Sequence, residues 1–460
     1  MLIALAKDAS TVDVDSAAES KPFIKGEKMQ SHRKLIAAIG AIGLALGLAA
    51  CSSGPSADHP VSLTFWGKTK GQKAQVELWN KEHPEIQINY VEQGGDNDLA
   101  QALQNATTAG NAPDLFEVPR TLTVSFVAQG ISRDVSQWLK NDDGAFAEGA
   151  YDFVHVGDIT TGIPYAMNPT FNAINTATFG RFGFSAPTDW SQFLSQAKTM
   201  QANGNIKSMN LPGEDFSNLR DIATQFGAEW WQPEGKGWKI GFTSDASLKA
   251  GDIIQQAIDA NIVSNNTYIE WDALMQFFSS GNLSQFTTST WQLPVYEKNF
   301  ASSIGDWKLA DYPAETGSST FVAPSYYNVY GVSPQSKSPE SAVKFARWAA
   351  TDPAAIALIA DPTNGAAVFP VTKDASAVVD SLLPAKLLGN SRSDAAAVVE
   401  KAAKYAHSMG EGPDQAAATQ ELTDQWAKVV TKSITMKDLL EHMQEWTIKD
   451  LTSKNITVTN

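Results

Sequence analysis

One thiol, Cys51, stands in 460 residues, so the chain cannot close a disulfide within itself. A nucleophilic cysteine needs an exposed thiolate beside a base, and Cys51 ends an apolar run instead. Zinc or manganese would want several histidines close together. His59, His83, His155, His407 and His442 are scattered. The adjacent Tyr326 and Tyr327 are a pair of the kind that ligates ferric iron, which keeps a ferric-iron transport protein as an alternative. Glycoside hydrolysis needs two carboxylates roughly 5–9 Å apart. Acids are plentiful, yet the sequence singles out no pair; a secreted glycosidase is the weaker alternative, a surface adhesin without transport a third. There is no G-x-S-x-G and no phosphate loop, and "GKGWKIG" (235–241) lies in a turn-rich stretch rather than at a strand-to-helix joint. Nothing calls for a cofactor or for bond chemistry, and the reading is not an enzyme.

Residues before Cys51 explain its place. His32, Arg33 and Lys34 precede a run, 35–48, of Leu, Ile, Ala and Gly only. Positive, then apolar, then small is the order of a secretory signal, and the run is short of the roughly 20 residues that span a membrane. Leu48-Ala49-Ala50-Cys51 resembles the lipobox of bacterial lipoproteins. That resemblance implies a diacylglycerol on the Cys51 thiol and cleavage just before it. Residues 29–50 are then a signal peptide and 51–60, "CSSGPSADHP", a flexible tether. Residues 1–28 carry Asp8, Asp13, Asp15, Glu19 and Glu27, unlike a signal, and read as a start-site overrun before Met29. From Cys51 onward 29 basic residues face 45 acidic ones. That balance excludes nucleic acid, whose phosphates need clustered Lys and Arg. It also excludes charge-driven adhesion to anionic lipid; the anchor would hold the chain at the membrane's outer face.

Side-chain periodicity supplies the scaffold. "VSLTFWG" (61–67) and "EIQINYVEQ" (85–93) alternate as strands, and "PDLFEVP" (113–119) is a third. Between them "QKAQVELWNKEHP" (72–84) and "LAQALQNATTAG" (99–110) have helical spacing. The rhythm is that of an α/β fold with a mainly parallel sheet. Ser338-Pro339 and Asp352-Pro353 mark helix starts, and Thr435 with Asp438 forms an approximate capping box.

Several fragments then fall in a telling order: "SLTFWG", "HPEIQINYVEQ", "TTAGNAPDLFEV", "TTGIPYAMNPTFNAINTATF", "APTDWSQFLSQAKTM", "FFSSGNLSQFTTSTWQLP" and "YGVSPQSKSPESAVKFARWAATDP". Over nearly the whole chain beyond Cys51, this order resembles family 1 extracellular solute-binding proteins of carbohydrate ATP-binding-cassette (ABC) importers. The resemblance implies a type II, two-lobe periplasmic-binding-protein-like fold, with mainly parallel sheets flanked by helices and a ligand cleft between the lobes. Lobe I would comprise 61–165 and 286–330, lobe II 168–285 and 334–460. Crossings would fall near Pro164–Pro169, Gln285–Thr288 and Val329–Ser333. It further implies a monomer that closes on a carbohydrate by a hinge and docks on ABC permease subunits.

Sugar recognition sets the site expectations. Pyranose C–H faces stack on aromatic rings, and vicinal hydroxyls suit planar polar groups. Thirteen tryptophans and the aromatic excess favour an oligosaccharide. Trp66 ends the first strand, where open α/β sheets bind ligands, with Lys68 and Thr69 in the next loop as alternatives. Glu117 and Arg120 end another strand; Asp114 reads as structural. Tyr165 lies at the first crossing. Of Trp230 and Trp231, one should be packed and one available. Trp271 and Trp291 complete the rings, Trp291 matching a family ligand position near the second crossing. Tyr326, Tyr327 and Asn328 stand where the family has a small, Gly-rich loop, so ligand preference cannot be copied from relatives.

Overall fold

The computed structural model describes residues 59–119, 121–139 and 144–459. The start-site, signal and lipidation assignments, Cys51 included, the tether as far as residue 58 and the Arg120 assignment lie outside them. Among the described residues, no helix is long and apolar enough to cross a membrane.

The alternating stretches fold as expected. Val61–Gly67 (β1) pairs in parallel with Ile86–Glu92 (β2) and with Leu115–Glu117 (β3). Helices Gln72–Glu82 and Asp96–Ala109 connect them. The second helix stops at Gly110, whose φ of 75° is the left-handed conformation that ends helices without side-chain strain. Farther on come Ile163–Pro169 (β4), Phe171–Asn175 (β5), Gln285–Thr288 (β6), Trp307–Ala310 (β7), Ala323–Val332 (β8), Phe369–Pro370 (β9) and Ala406–His407 (β10). The large sheet runs β9-β4-β8-β3-β1-β2, with β10 beside the start of β8. A separate three-stranded sheet runs β6-β5-β7.

Sheet membership and core packing divide the chain differently. β6 and β7 flank β5 in the small sheet, but Phe286, Trp307 and Leu309 pack in one apolar core with Leu63, Phe65 and Tyr165. Segment 334–460 splits. Helices Pro339–Thr351 and Pro353–Ala360 pack on the large sheet and on helix Gln72–Glu82. There the Gln75 amide donates to Ala349 O at 3.0 Å and Ala355 O at 2.9 Å. Helices Gln415–Val430 and Met436–Ser453 instead enter a second apolar core with Trp190, Ile222, Trp230 and Ile254. The reason is pairing: hydrogen bonds and apolar faces recruit segments far apart in sequence. Only Thr170 separates β4 from β5, and its N–H and hydroxyl both donate to Pro324 O, at 2.8 and 2.9 Å.

Local signals are accurate at the helix starts. Asp352 caps the backbone N–H groups of Ala354 and Ala355, and Thr435 with Asp438 makes a complete capping box. Ser338 precedes a first-turn proline but makes no side-chain cap.

At the centre of the large sheet, the fully buried Phe65 ring meets Tyr90, Tyr330 and Phe345 edge-on. Phe65→Ala should therefore lower unfolding free energy by about 3–5 kcal/mol, read as a shifted denaturation midpoint at unchanged slope. A loss below about 1 kcal/mol would mean the neighbouring rings collapse into the space.

Candidate ligand-binding site

β8 decides which neighbouring residues can share a surface. Side chains alternate along a strand, so Tyr326 and Asn328 face one side and Tyr327 the other. Tyr326 sits opposite Asn168 of β4, and the Asn168 amide donates to Asn328 Oδ1 at 2.8 Å. Tyr327 is buried against Phe153, ring centres 5.1 Å apart. This corrects its assignment as a cleft residue. The same alternation prevents Tyr326 and Tyr327 from ligating one iron together.

Over the Tyr326 side lie residues from several other elements. Trp291, just after β6, donates its indole N–H to the Tyr326 hydroxyl at 2.7 Å and remains 37% exposed. Arg220, on helix Ser217–Gln225, holds its guanidinium 5.7 Å from the Tyr326 ring centre. Its Nε and Nη2 donate to Asp221 Oδ1 at 3.1 and 2.9 Å. Burial opposes the Arg220 charge, but the Asp221 and Asp215 carboxylates outweigh it and hold its pKa above the usual value. Asp215 also faces the Tyr268 hydroxyl. Tyr268 and Trp271, which opens helix Trp271–Ser279, are 42% and 40% exposed. Exposed rings, an ion pair and amides thus gather around Tyr326 from strands, helices and turns. This is the mixture that grips a neutral polyhydroxylated ligand: rings for its C–H faces and planar polar groups for its hydroxyls.

Other expected contacts belong to the scaffold. Glu117 is fully buried. Its carboxylate accepts from Lys68 Nζ at 2.8 Å, Thr69 Oγ1 at 2.9 Å and Gln72 Nε2 at 3.1 Å, and from the Lys68 and Thr69 N–H groups, each at 3.2 Å. With five donors converging on it, Glu117 anchors the loop after β1. Burial opposes the charge of Lys68, but Glu117 and Asp96 overcome that and raise its pKa. Tyr165 is buried, stacked on Tyr330 at 4.1 Å, its hydroxyl 3.1 Å from Thr69 Oγ1. Trp66 is half-buried against the Leu99, Leu103 and Phe116 cluster. Both Trp230 and Trp231 are buried, not one of the two. Trp230 stacks on Phe242 and donates to Ser247 Oγ at 3.1 Å, while Trp231 lies so close to Gly412 that a Cβ there would stand 2.3 Å from the indole. Asp114 accepts from Thr64 N–H at 3.0 Å and Ser336 Oγ at 2.6 Å, a structural role.

Sequence reading missed Arg220, Asp215, Tyr268 and Asn168. Tyr268 was the most legible, three residues before Trp271. Arg220 reaches Tyr326 only through the fold.

A second cavity, of about 420 Å³, lies between Thr123 and Phe153 on one side and Trp231, Trp238 and Glu411 on the other. Glu411 accepts from the Thr123 N–H at 2.9 Å and hydroxyl at 2.6 Å.

The family profile of bacterial extracellular solute-binding proteins matches residues 67–356. The chain belongs to that family. An uncharacterised lipoprotein of Streptomyces antibioticus is 26% identical to this solute-binding protein over 173 residues, 35% of this chain. The match spans 38% of that relative's length. Among solved structures, the galacto-N-biose/lacto-N-biose I-binding protein of a Bifidobacterium longum ABC transporter superposes with a TM-score of 0.74 at 21% identity, covering 87% of this chain and 99% of the other. An ABC-transporter-associated binding protein of Bifidobacterium animalis subsp. lactis, in complex with β-1,6-galactobiose, gives 0.70 at 17%, covering 87% and 100%. The sugar-binding protein MalE of Xanthomonas citri gives 0.71 at 12%, covering 86% and 98%. At these identities the likeness establishes the fold, the two-lobe type II binding-protein architecture.

Two outcomes follow for the solute-binding protein. Glu117→Ala should cost about 3–5 kcal/mol, because it leaves the Thr69 and Gln72 donors without this acceptor and Lys68 with Asp96 as its counter-charge. A variant that keeps its melting point but loses ligand would place Glu117 in the cleft instead. Burial raises the Glu411 pKa above 4.5, though Thr123 opposes the shift. The folded state therefore holds this proton more tightly than the unfolded chain, and stability falls as pH rises from the ordinary glutamate range through the raised value. Glu411→Gln should flatten that slope in melting points taken from pH 4 to 7; an unchanged slope would sink the assignment.

Proposed function

We propose that this chain is the lipid-anchored, extracellular sugar-binding component of an ABC importer. It captures an oligosaccharide between two hinged lobes and delivers it to the permease without bond chemistry. The observation that carries this reading is the approach of Arg220 to Tyr326 beside Trp291: Tyr326 lies on β8 of the large sheet, whereas the Arg220 helix contributes Leu219 and Ile222 to the second apolar core. A ligand stacked on Tyr326 and Trp291 against Arg220 touches both halves and so stabilises the closed form; one touching a single half would shift nothing. Family membership supports solute capture outside the cell. The names of the solved relatives support sugar: lacto-N-biose for one, β-1,6-galactobiose for another. Cys51 after its apolar run, together with the lipoprotein relative, supports the anchor.

Thermal shift against mono- and oligosaccharides tests the reading. At 100 times Kd, a true ligand stabilises the protein by about 2.7 kcal/mol. Trp291→Ala should weaken that ligand about tenfold or more while leaving the unliganded melting point nearly unchanged. A panel in which every glycan is silent and a peptide or metal registers would refute sugar binding.

A further inference from the structure

Beneath the exposed Tyr268 and Trp271 the wall of the site hollows into a recess of about 60 Å³. Five carboxamides line it: Asn172, Asn210, Asn218, Gln285 and Gln292. Among the described residues, no Asp, Glu, Lys, Arg or His lines it. Most of these amides are occupied. Asn210 Oδ1 accepts from Ser264 Oγ at 2.8 Å and Asn266 N–H at 3.0 Å. Asn218 donates to Asn210 O at 3.1 Å, and Gln292 Oε1 accepts from Thr288 Oγ1 at 3.1 Å. Gln285 differs. It is 1% exposed on β6, its Oε1 accepts from Asn172 Nδ2 at 3.4 Å, and its Nε2 donates to no protein group. A buried donor without an acceptor is costly, and such groups in native proteins call for an explanation.

The geometry points to a subsite. We propose that the recess receives one uncharged exocyclic substituent of the glycan, a hydroxymethyl or an acetamido group, whose oxygen accepts from Gln285 Nε2. This rests on the sugar-binding reading above and narrows it to a class of sugar. Size selects a substituent: a water needs about 10–15 Å³ on this measure, so the recess takes a few heavy atoms and no ring. Charge selects neutrality. A carboxylate here would meet no cation in the recess and an ammonium no anion, and burying either unpaired is prohibitive. The aromatic rim at Tyr268 and Trp271 holds the ring from which the substituent descends.

The test begins with isothermal titration of the wild-type protein against a glycan panel that includes lacto-N-biose and β-1,6-galactobiose. The tightest binder is then compared with analogues lacking one exocyclic hydroxyl or acetamido group at a time, and with the matching uronic acid. One position should stand out, its loss weakening binding about tenfold, and the uronic acid at that position should bind worse still. Deoxy and de-acetamido analogues distinguish the two candidate substituents. Gln285→Leu should weaken the parent glycan by the same about tenfold factor yet change the analogue lacking that group by less than about twofold. If no glycan in the panel binds, the sugar reading falls and the subsite with it. If a glycan binds but all its analogues match it within about twofold, or the uronic acid binds equally well, the subsite alone is overturned. The ligand-side comparison uses wild-type protein and so does not depend on the variant's folding.

Discussion

A strand shows each face only every second residue, and β8 is where that constraint governs this protein. Its Tyr326 and Asn328 look toward Trp291, Arg220 and Asn168, while Tyr327 looks toward Phe153. The strand pairs with β4 on one edge and β3 on the other, and its first residues pair with β10. Its register is therefore fixed by neighbours on both sides, and slipping it by one residue would exchange the two faces. Both the ring cluster and the packing behind it rest on that register.

Charge is kept on a short leash around this strand. Glu117 gathers five donors and holds the loop after β1. Arg220 is tied to Asp221 and does not roam the cleft. Fixed charges cost nothing to reorganise when a ligand arrives, whereas long free side chains lose rotamer freedom on contact. The scaffold is pre-organised at its charged points and leaves its adaptable surface to rings and amides.

What the sequence disclosed follows from the range of each signal. The Val61–Gly67 alternation, the Gly110 stop and the Thr435–Asp438 box are settled within a few residues and were readable. The order of fragments led to the family and its fold. Sheet membership was not readable, because β6 and β7 are recruited by β5 from far upstream. Ring burial was equally hidden. Trp230 and Trp231 look like one packed and one free ring until Phe242, Ser247 and Gly412 close over both. Glu117 sits at a strand end where ligands often bind, yet the loop after β1 and the Gln72 amide that opens the next helix occupy it.

Trp271 and Trp291 stand near the surface at the openings of short helical segments, outside both apolar cores. Exchanges at such positions usually disturb stability little. On the sugar-binding reading proposed above, a lineage could therefore replace these two rings and acquire a taste for a new nutrient while Phe65, Glu117 and the β8 register stayed untouched, so that diet would evolve at the rim and architecture be inherited from the sheet.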